Sequence, residues 1–252
     1  MSVAKTREPE TARPISLSFE FFPPKSDEQA AALDETVGRL SRFRPTYVSV
    51  TYGAGGTSQD RSLGTVRRMH ELGLATAAHL TCAASTRDAL AHTIGLFREI
   101  GIERFVALRG DPPGGLTIPY EPHPLGYRDT SQLVETLKLA GATEVSVSAY
   151  PEKHPQSADW DAEIGALRRK VDAGADRAIT QFFYDNDLFE RYVEAETAWT
   201  FKAGERQSKV ARSARLRILK DDVARFVDND LIGEAAGHRG ISAKIRRSRT
   251  LR

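Results

Sequence analysis

Residues Leu17–Pro24 (LSFEFFPP) place one carboxylate, Glu20, inside a run that otherwise reads as a buried β-strand. Two prolines close the run, because they cannot donate ladder hydrogen bonds. An ionised side chain among Leu17, Phe19, Phe21 and Phe22 is costly to bury without partners. Burial also raises a carboxyl pKa, which suits a proton donor near neutral pH. Period-two alternation equally allows Glu20 to face solvent from an amphipathic strand, so this stretch alone leaves both readings open.

Other polar and ionisable groups recur at regular distances further on: Thr51 with Tyr52, His79 with Thr81, Arg109 with Asp111, Tyr150 with His154, and Gln181. Each has an ordinary reading beside a functional one. His79 can be a satisfied core histidine, Arg109 and Asp111 a structural ion pair, and Lys170 a solvated helix residue. Cys82 reads as small buried packing, and Tyr47, Phe97 and Phe105 read as core.

The elements that must position these groups follow one rule. Strand-like runs begin near residues 15, 46, 74, 104, 145 and 176, a recurrence of about 30 residues, the length of one strand–helix unit. Helices fill the gaps. Ser26-Asp-Glu opens one with a cap and an acidic first turn, and Ala30, Leu33, Val37 and Leu40 supply its apolar stripe. Thr57 or Ser58 caps the next, which runs to Leu72, and Thr86 to Ile100, Thr130 to Leu139 and Asp159 to Ala173 supply three more. Asp185-Asn-Asp187 caps a sixth. The Gly53–Gly56 loop lets backbone approach a ligand closely. Six consecutive units imply an α/β fold with a parallel sheet, either doubly wound or a (β/α)8 barrel. All six strands carry polar groups at their C-terminal ends, where barrel active sites assemble, and no GxGxxG or GxxxxGK[ST] follows the first strand. A barrel is expected.

Bulk composition narrows the rest. The chain has 252 residues, 40% hydrophobic and 28% charged, with mean hydropathy −0.42. That suits one large α/β domain. No apolar run approaches the roughly 20 residues that span a bilayer, and the polar first fourteen residues have no apolar signal core. The single Cys82 rules out an intrachain disulfide and a cysteine-rich metal site, so a cytoplasmic setting without a metal centre is expected.

The motifs SFEFFPPK, VSVTYGAGG, HLTC, ALRGDPP, AYPEKHP, LRRKVDAGADRAITQFF and YDND stand in order between Ser16 and about Tyr192. Together they resemble the 5,10-methylenetetrahydrofolate reductase family, in its bacterial catalytic-domain form. The resemblance implies a (β/α)8 barrel holding FAD non-covalently. NADH or NADPH would reduce the flavin, which passes a hydride to 5,10-methylenetetrahydrofolate and gives 5-methyltetrahydrofolate. By the same resemblance Glu20 is the general acid that protonates the departing folate nitrogen, and Asp111 binds the pterin ring close to the flavin. Gln181 matches a glutamine that contacts folate or nicotinamide. The FAD set implied is Thr51, Tyr52, Ala54, His79, Arg109, Gly110, Asp111, Tyr150, His154 and Lys170 together with Glu163, the last aligning less well, as do Ser157, Arg128 and Arg169. Bacterial members are often homo-oligomeric, so the resemblance admits a homo-oligomer.

Past about Ala195 the pattern fails. From Lys202 onward 14 Lys or Arg stand against 6 Asp or Glu, whereas the remainder holds 22 against 28. Arg215–Leu219 and Leu231–Ile232 are weak strand candidates, and Lys244–Arg252 reads as a solvated basic tail. The family's two final strands have no match, so the last two strand–helix units read as missing or replaced. The organisation expected is a leader over 1–14, a flavin-binding β/α unit over 15–200, and an atypical tail over 201–252. Arg-rich aperiodic sequence of this kind is what an out-of-frame reading of GC-rich DNA gives. An unfinished barrel also admits a flavin- or folate-binding remnant with little reductase activity. Nucleic-acid binding by the tail rests on charge alone, since no aromatic platform or recognition motif accompanies it, and is not expected.

Overall fold

The computed structural model describes residues 16–53, 56–112, 118–195, 217–220 and 247–250. Strands and helices alternate: β1 (Ser18–Phe21), α1 (Asp27–Ser41), β2 (Tyr47–Val50), α2 (Gly56–Glu71), β3 (Thr76–Thr81), α3 (Arg87–Glu99), β4 (Arg104–Leu108), α4 (Thr130–Leu139), β5 (Glu144–Ala149), α5 (Trp160–Asp172) and β6 (Arg177–Thr180). Residues 186–195 form a further helix, α6. Strands β1 to β6 pair in sequence order, every neighbour parallel. They curl into a half-barrel with helices outside it.

Local chemistry sets most helix starts. Ser26 accepts a hydrogen bond from Gln29 N, Thr86 from Ala89 N, and Asp159 from Ala162 N. Asp129 Oδ1 accepts from Ser131 N at 3.0 Å and Gln132 N at 3.4 Å. Asp185 Oδ1 accepts from Asp187 N and Leu188 N at 2.9 and 3.1 Å, so the YDND turn caps α6. Each satisfies helix-end amides that have no partner within the helix. Helix α2 begins at Gly56, one residue before the expected caps.

The two faces of the sheet carry separate cores, as a period of two requires. On the outer face Phe19, Phe21, Val48, Val50, Ala78, Leu80, Phe105 and Val147 pack with Leu33, Val37, Met69, Leu90, Phe97, Leu133 and Leu167 of the helices. The concave face holds a smaller cluster, Tyr47, Ala77, Val106 and Ile179. Register places Glu20 beside Ser49, and Ser49 beside Ala77. Glu20 therefore points into the concave face, where it is 6% exposed, and the solvent-facing alternative does not hold.

An ionic floor closes the N-terminal side of this interior. Arg177, 4% exposed, donates to Glu144 at 3.1 Å and stacks over the Tyr47 ring at 5.0 Å, while Arg104 approaches the same carboxylate at 3.0 Å. Strands β2, β4, β5 and β6 are thereby linked across their starts. Barrels place such stabilising contacts at this end and leave the opposite rim for chemistry.

Beyond β6 the structure differs from the sequence reading at two points. Residues Arg217–Lys220 form β7, parallel to β6, overlapping the run Arg215–Leu219 that reads as only a weak strand candidate. Residues Arg247–Thr250 form β8, antiparallel to β7, inside the segment expected to be a solvated tail. Backbone pairing to an otherwise open edge outweighs the poor strand propensity of an Arg-rich segment. Among the described residues β8 pairs with β7 and not with β1. No helix of the described residues is long and apolar enough to cross a membrane.

Candidate active site

A cavity of about 680 Å3 opens at the C-terminal ends of β3 to β6. Strand ends supply Thr81, Leu108 and Ser148, and the turns after them supply Arg109, Gly110, Asp111, Tyr150 and Gln181. His154, Glu163 and Lys170 line it from the β5–α5 loop and α5, and Tyr52 from the turn after β2. Nine residues expected at a site thus share one space, although they span Tyr52 to Gln181 in the chain. Ser157, Arg128 and Arg169 line it too.

Gly110 makes the turn after β4 possible. Its φ is +82°, and a Cβ there would meet Thr81 Cβ and Ala83 Cβ at 3.0 Å. The backbone conformation and the tight approach to β3 both require glycine.

Lys170 is buried on α5, and its Nζ donates to Ser148 O at 2.7 Å. The solvated-helix reading therefore fails. A buried ammonium keeps its charge only with partners, and this one lines the cavity wall. Glu163, 3% exposed, accepts from His154 N at 3.1 Å and Ser157 Oγ at 2.6 Å. It thereby fixes the AYPEKHP loop against α5. His154 Nδ1 accepts from Gln156 N at 3.0 Å, which leaves Nε2 to carry the proton of the neutral ring. Burial, then the nearby Arg109 charge, lower the His154 pKa from its ordinary value. The Tyr150 ring packs edge-on against His154 at 4.8 Å, and burial raises the pKa of its phenol, as it does for Tyr52.

Glu20, Thr51 and His79 do not line the cavity, which lies toward β3–β6 while Glu20 stands on β1. Glu20 and His79 instead meet each other, Oε2 to Nε2 at 3.7 Å. Ala54 lies outside the described residues. Sequence reasoning did not single out Tyr120, Asp129 or Gln156, which also line the cavity. Asp129 was legible as the cap before Thr130; Tyr120 and Gln156 sit in loops without a periodic signal.

A smaller cavity of about 380 Å3 adjoins the first, sharing Asp111, Tyr150, His154 and Gln181 and adding Phe182 and the Pro151–Pro155 turn. Phe182 and its neighbour Tyr184 are both exposed, rings 4.8 Å apart, and Tyr184 N donates to Glu152 Oε1 at 2.9 Å. The arrangement offers one polar space with cationic walls and a second with an aromatic wall, joined at Asp111 and Gln181.

A strand-end cavity on a parallel half-barrel wrapped by helices defines an α/β protein of the barrel type, with its polar cavity on the C-terminal rim. Comparison with known proteins gives the family. A sequence profile of methylenetetrahydrofolate reductase matches residues 5–203, and the chain belongs to that family. It is 42% identical over 179 residues to the 5,10-methylenetetrahydrofolate reductases of Salmonella typhimurium and of Escherichia coli, covering 71% of this chain and 58% of each relative. The chain therefore spans less than two thirds of the curated relatives it matches. Among solved structures, an uncharacterized protein from Clostridium thermocellum that binds two copies of 5-methyl-5,6,7,8-tetrahydrofolic acid superposes with a TM-score of 0.52 at 13% identity, over 74% of this chain and 61% of that one. That likeness concerns the fold.

Proposed function

We propose that the chain is a flavin-dependent reductase that uses NADH or NADPH to convert 5,10-methylenetetrahydrofolate into 5-methyltetrahydrofolate in the cytoplasm. The observation that carries this is the convergence of Arg109, Asp111, Tyr150, His154, Lys170 and Gln181 on one cavity in a member of this family.

The donor set suits a flavin dinucleotide. Lys170 and Arg109, with Arg128 and Arg169 nearby, offer cationic donors to a pyrophosphate. Tyr52, Tyr150 and Leu108 supply flat and apolar wall. FAD, when bound, supplies a two-electron carrier between nicotinamide and folate. Thr51, Ala54 and His79 belong to the flavin set by resemblance alone.

The remaining work falls to this chain's own groups. Asp111 and Gln181 border both cavities, where a carboxylate and an amide can hold the amino-pyrimidine edge of a pterin. Phe182 offers a stacking face beside them. Glu20, buried on the concave face beside His79, gives its proton to the departing folate nitrogen so that the methylene carbon becomes an iminium able to accept hydride.

A second reading is a protein that binds flavin and folate but turns over little. It is favoured by β8, which runs antiparallel to β7 where an eight-unit (β/α)8 barrel needs a parallel strand, and by the family match stopping at residue 203. In either reading residues 15–200 form the binding unit, with the last two strand–helix units replaced. One experiment separates them: anaerobic titration of the flavin-loaded protein with NADH and NADPH, then with 5,10-methylenetetrahydrofolate. Bleaching that folate reverses supports the reductase, bleaching without reversal supports the second reading, and failure to bind flavin overturns both.

A further inference from the structure

The segment 118–129, the loop that leads into α4, places Tyr120 in the wall of the cavity. The loop is fastened across the site, because Gln156 Nε2 donates to Ile118 O at 2.8 Å. Tyr120 is held at two points. Its phenol oxygen lies 4.0 Å from Cys82 Sγ, and that fully buried thiol also reaches Arg109 O at 3.5 Å. Its ring lies under the Arg109 guanidinium, 4.7 Å from centroid to Cζ.

This geometry has a consequence for Arg109. A guanidinium carries five N–H donors in its plane and none on its face. Stacking on Tyr120 engages the face, and among the described residues only Nε is committed, to Gly110 O at 3.3 Å. The terminal donors stay available along the edge that a planar or tetrahedral oxyanion accepts in pairs. An arginine free to rotate would have to be ordered when ligand arrives, at a cost in rotamer freedom.

We propose that Tyr120 is a positioning residue that pins Arg109 by its face and presents its edge to the phosphate of a dinucleotide ligand. The inference deepens the flavin reading and rests on it. Tyr120 works through Arg109 and is not itself a ligand contact in this scheme. Burial raises the phenol pKa, so Tyr120 stays neutral and holds the cation through its ring face.

The test is flavin affinity of the full chain, read by fluorescence quenching with FAD and with riboflavin, which lacks phosphate. Tyr120→Leu is expected to weaken FAD about five- to thirtyfold, the range of a partly desolvated cation–π contact, and to leave riboflavin unchanged. Tyr120→Phe keeps the ring and should bind FAD as the parent does. On an Arg109→Gln background Tyr120→Leu should cost nothing further. Equal losses for FAD and riboflavin, or an undiminished loss in the Arg109→Gln background, would overturn the proposal in favour of simple wall packing. Should Tyr120→Leu not fold, Arg109→Lys replaces it: the charge remains but the stacked plane is gone, and retained FAD affinity sinks the idea. Should the parent bind no flavin, the flavin reading fails separately. Inorganic pyrophosphate then serves as probe, and protection of the parent against thermal unfolding that does not depend on Tyr120 counts against this role.

Discussion

Glu20 and His79 meet 3.7 Å apart inside the half-barrel, each with under a tenth of its side chain exposed. They come from β1 and β3, and Ser49, which stands beside Glu20 on the intervening β2, is small enough to let them approach. The pair ties the one carboxylate of the first strand to an imidazole on the third.

If Glu20 supplies the proton, Glu20→Gln removes it while keeping the shape. Stopped-flow measurement of the two half-reactions should show flavin reduction by nicotinamide little changed. The folate-dependent step should fall by about 10²- to 10⁴-fold, the ordinary contribution of general acid catalysis. Equal loss in both steps would mean that Glu20 is structural.

Breaking the pair from the other side has a stability signature. His79→Leu leaves a buried carboxylate without its imidazole, a change that costs about 3–5 kcal/mol in buried pairs. Urea unfolding should report that loss. The double variant Glu20→Gln with His79→Leu should recover part of it, because no charge is then stranded. Additive losses would show that the two side chains do not interact.

Lys170→Met keeps most of the buried stem and deletes the ammonium that reaches Ser148 O. Hydrogen bonds to a charged group are worth about 1.5–3 kcal/mol, so FAD affinity should fall roughly ten- to hundredfold. Its dependence on salt should also weaken. An unchanged dissociation constant would remove Lys170 from the phosphate site.

His154 gives a pH prediction. Its pKa is depressed in the folded chain, first by burial and then by Arg109, so the unfolded chain binds the proton more readily. Its contribution to stability is complete above the unfolded value near 6.5 and is lost as pH falls through the lower folded value. Arg109→Gln should move the His154 titration upward in an NMR pH series. A downward shift or none would show that the arginine does not act on the ring.

The sequence by itself determined the alternation of strands and helices through β6, because apolar periodicity and capping residues such as Ser26, Thr86, Asp159 and Asp185 are local signals. It also determined which groups stand at strand ends, since Glu20, His79, Asp111 and Gln181 are placed by counting along each strand. Tertiary structure alone decided which of these share a space. Lys170, Glu163 and His154 reach the same cavity as Arg109 because α5 packs beside α4 and β5, a relation no residue spacing encodes. The same holds for Glu20 and His79, which meet across β2. Strand β8 makes the point from the other side: Arg247–Thr250 has no strand pattern of its own, and its extended form comes from hydrogen bonds to β7. Backbone pairing, like the pinning of Arg109 by Tyr120, depends on what lies opposite in space, and that is fixed only when the chain has folded.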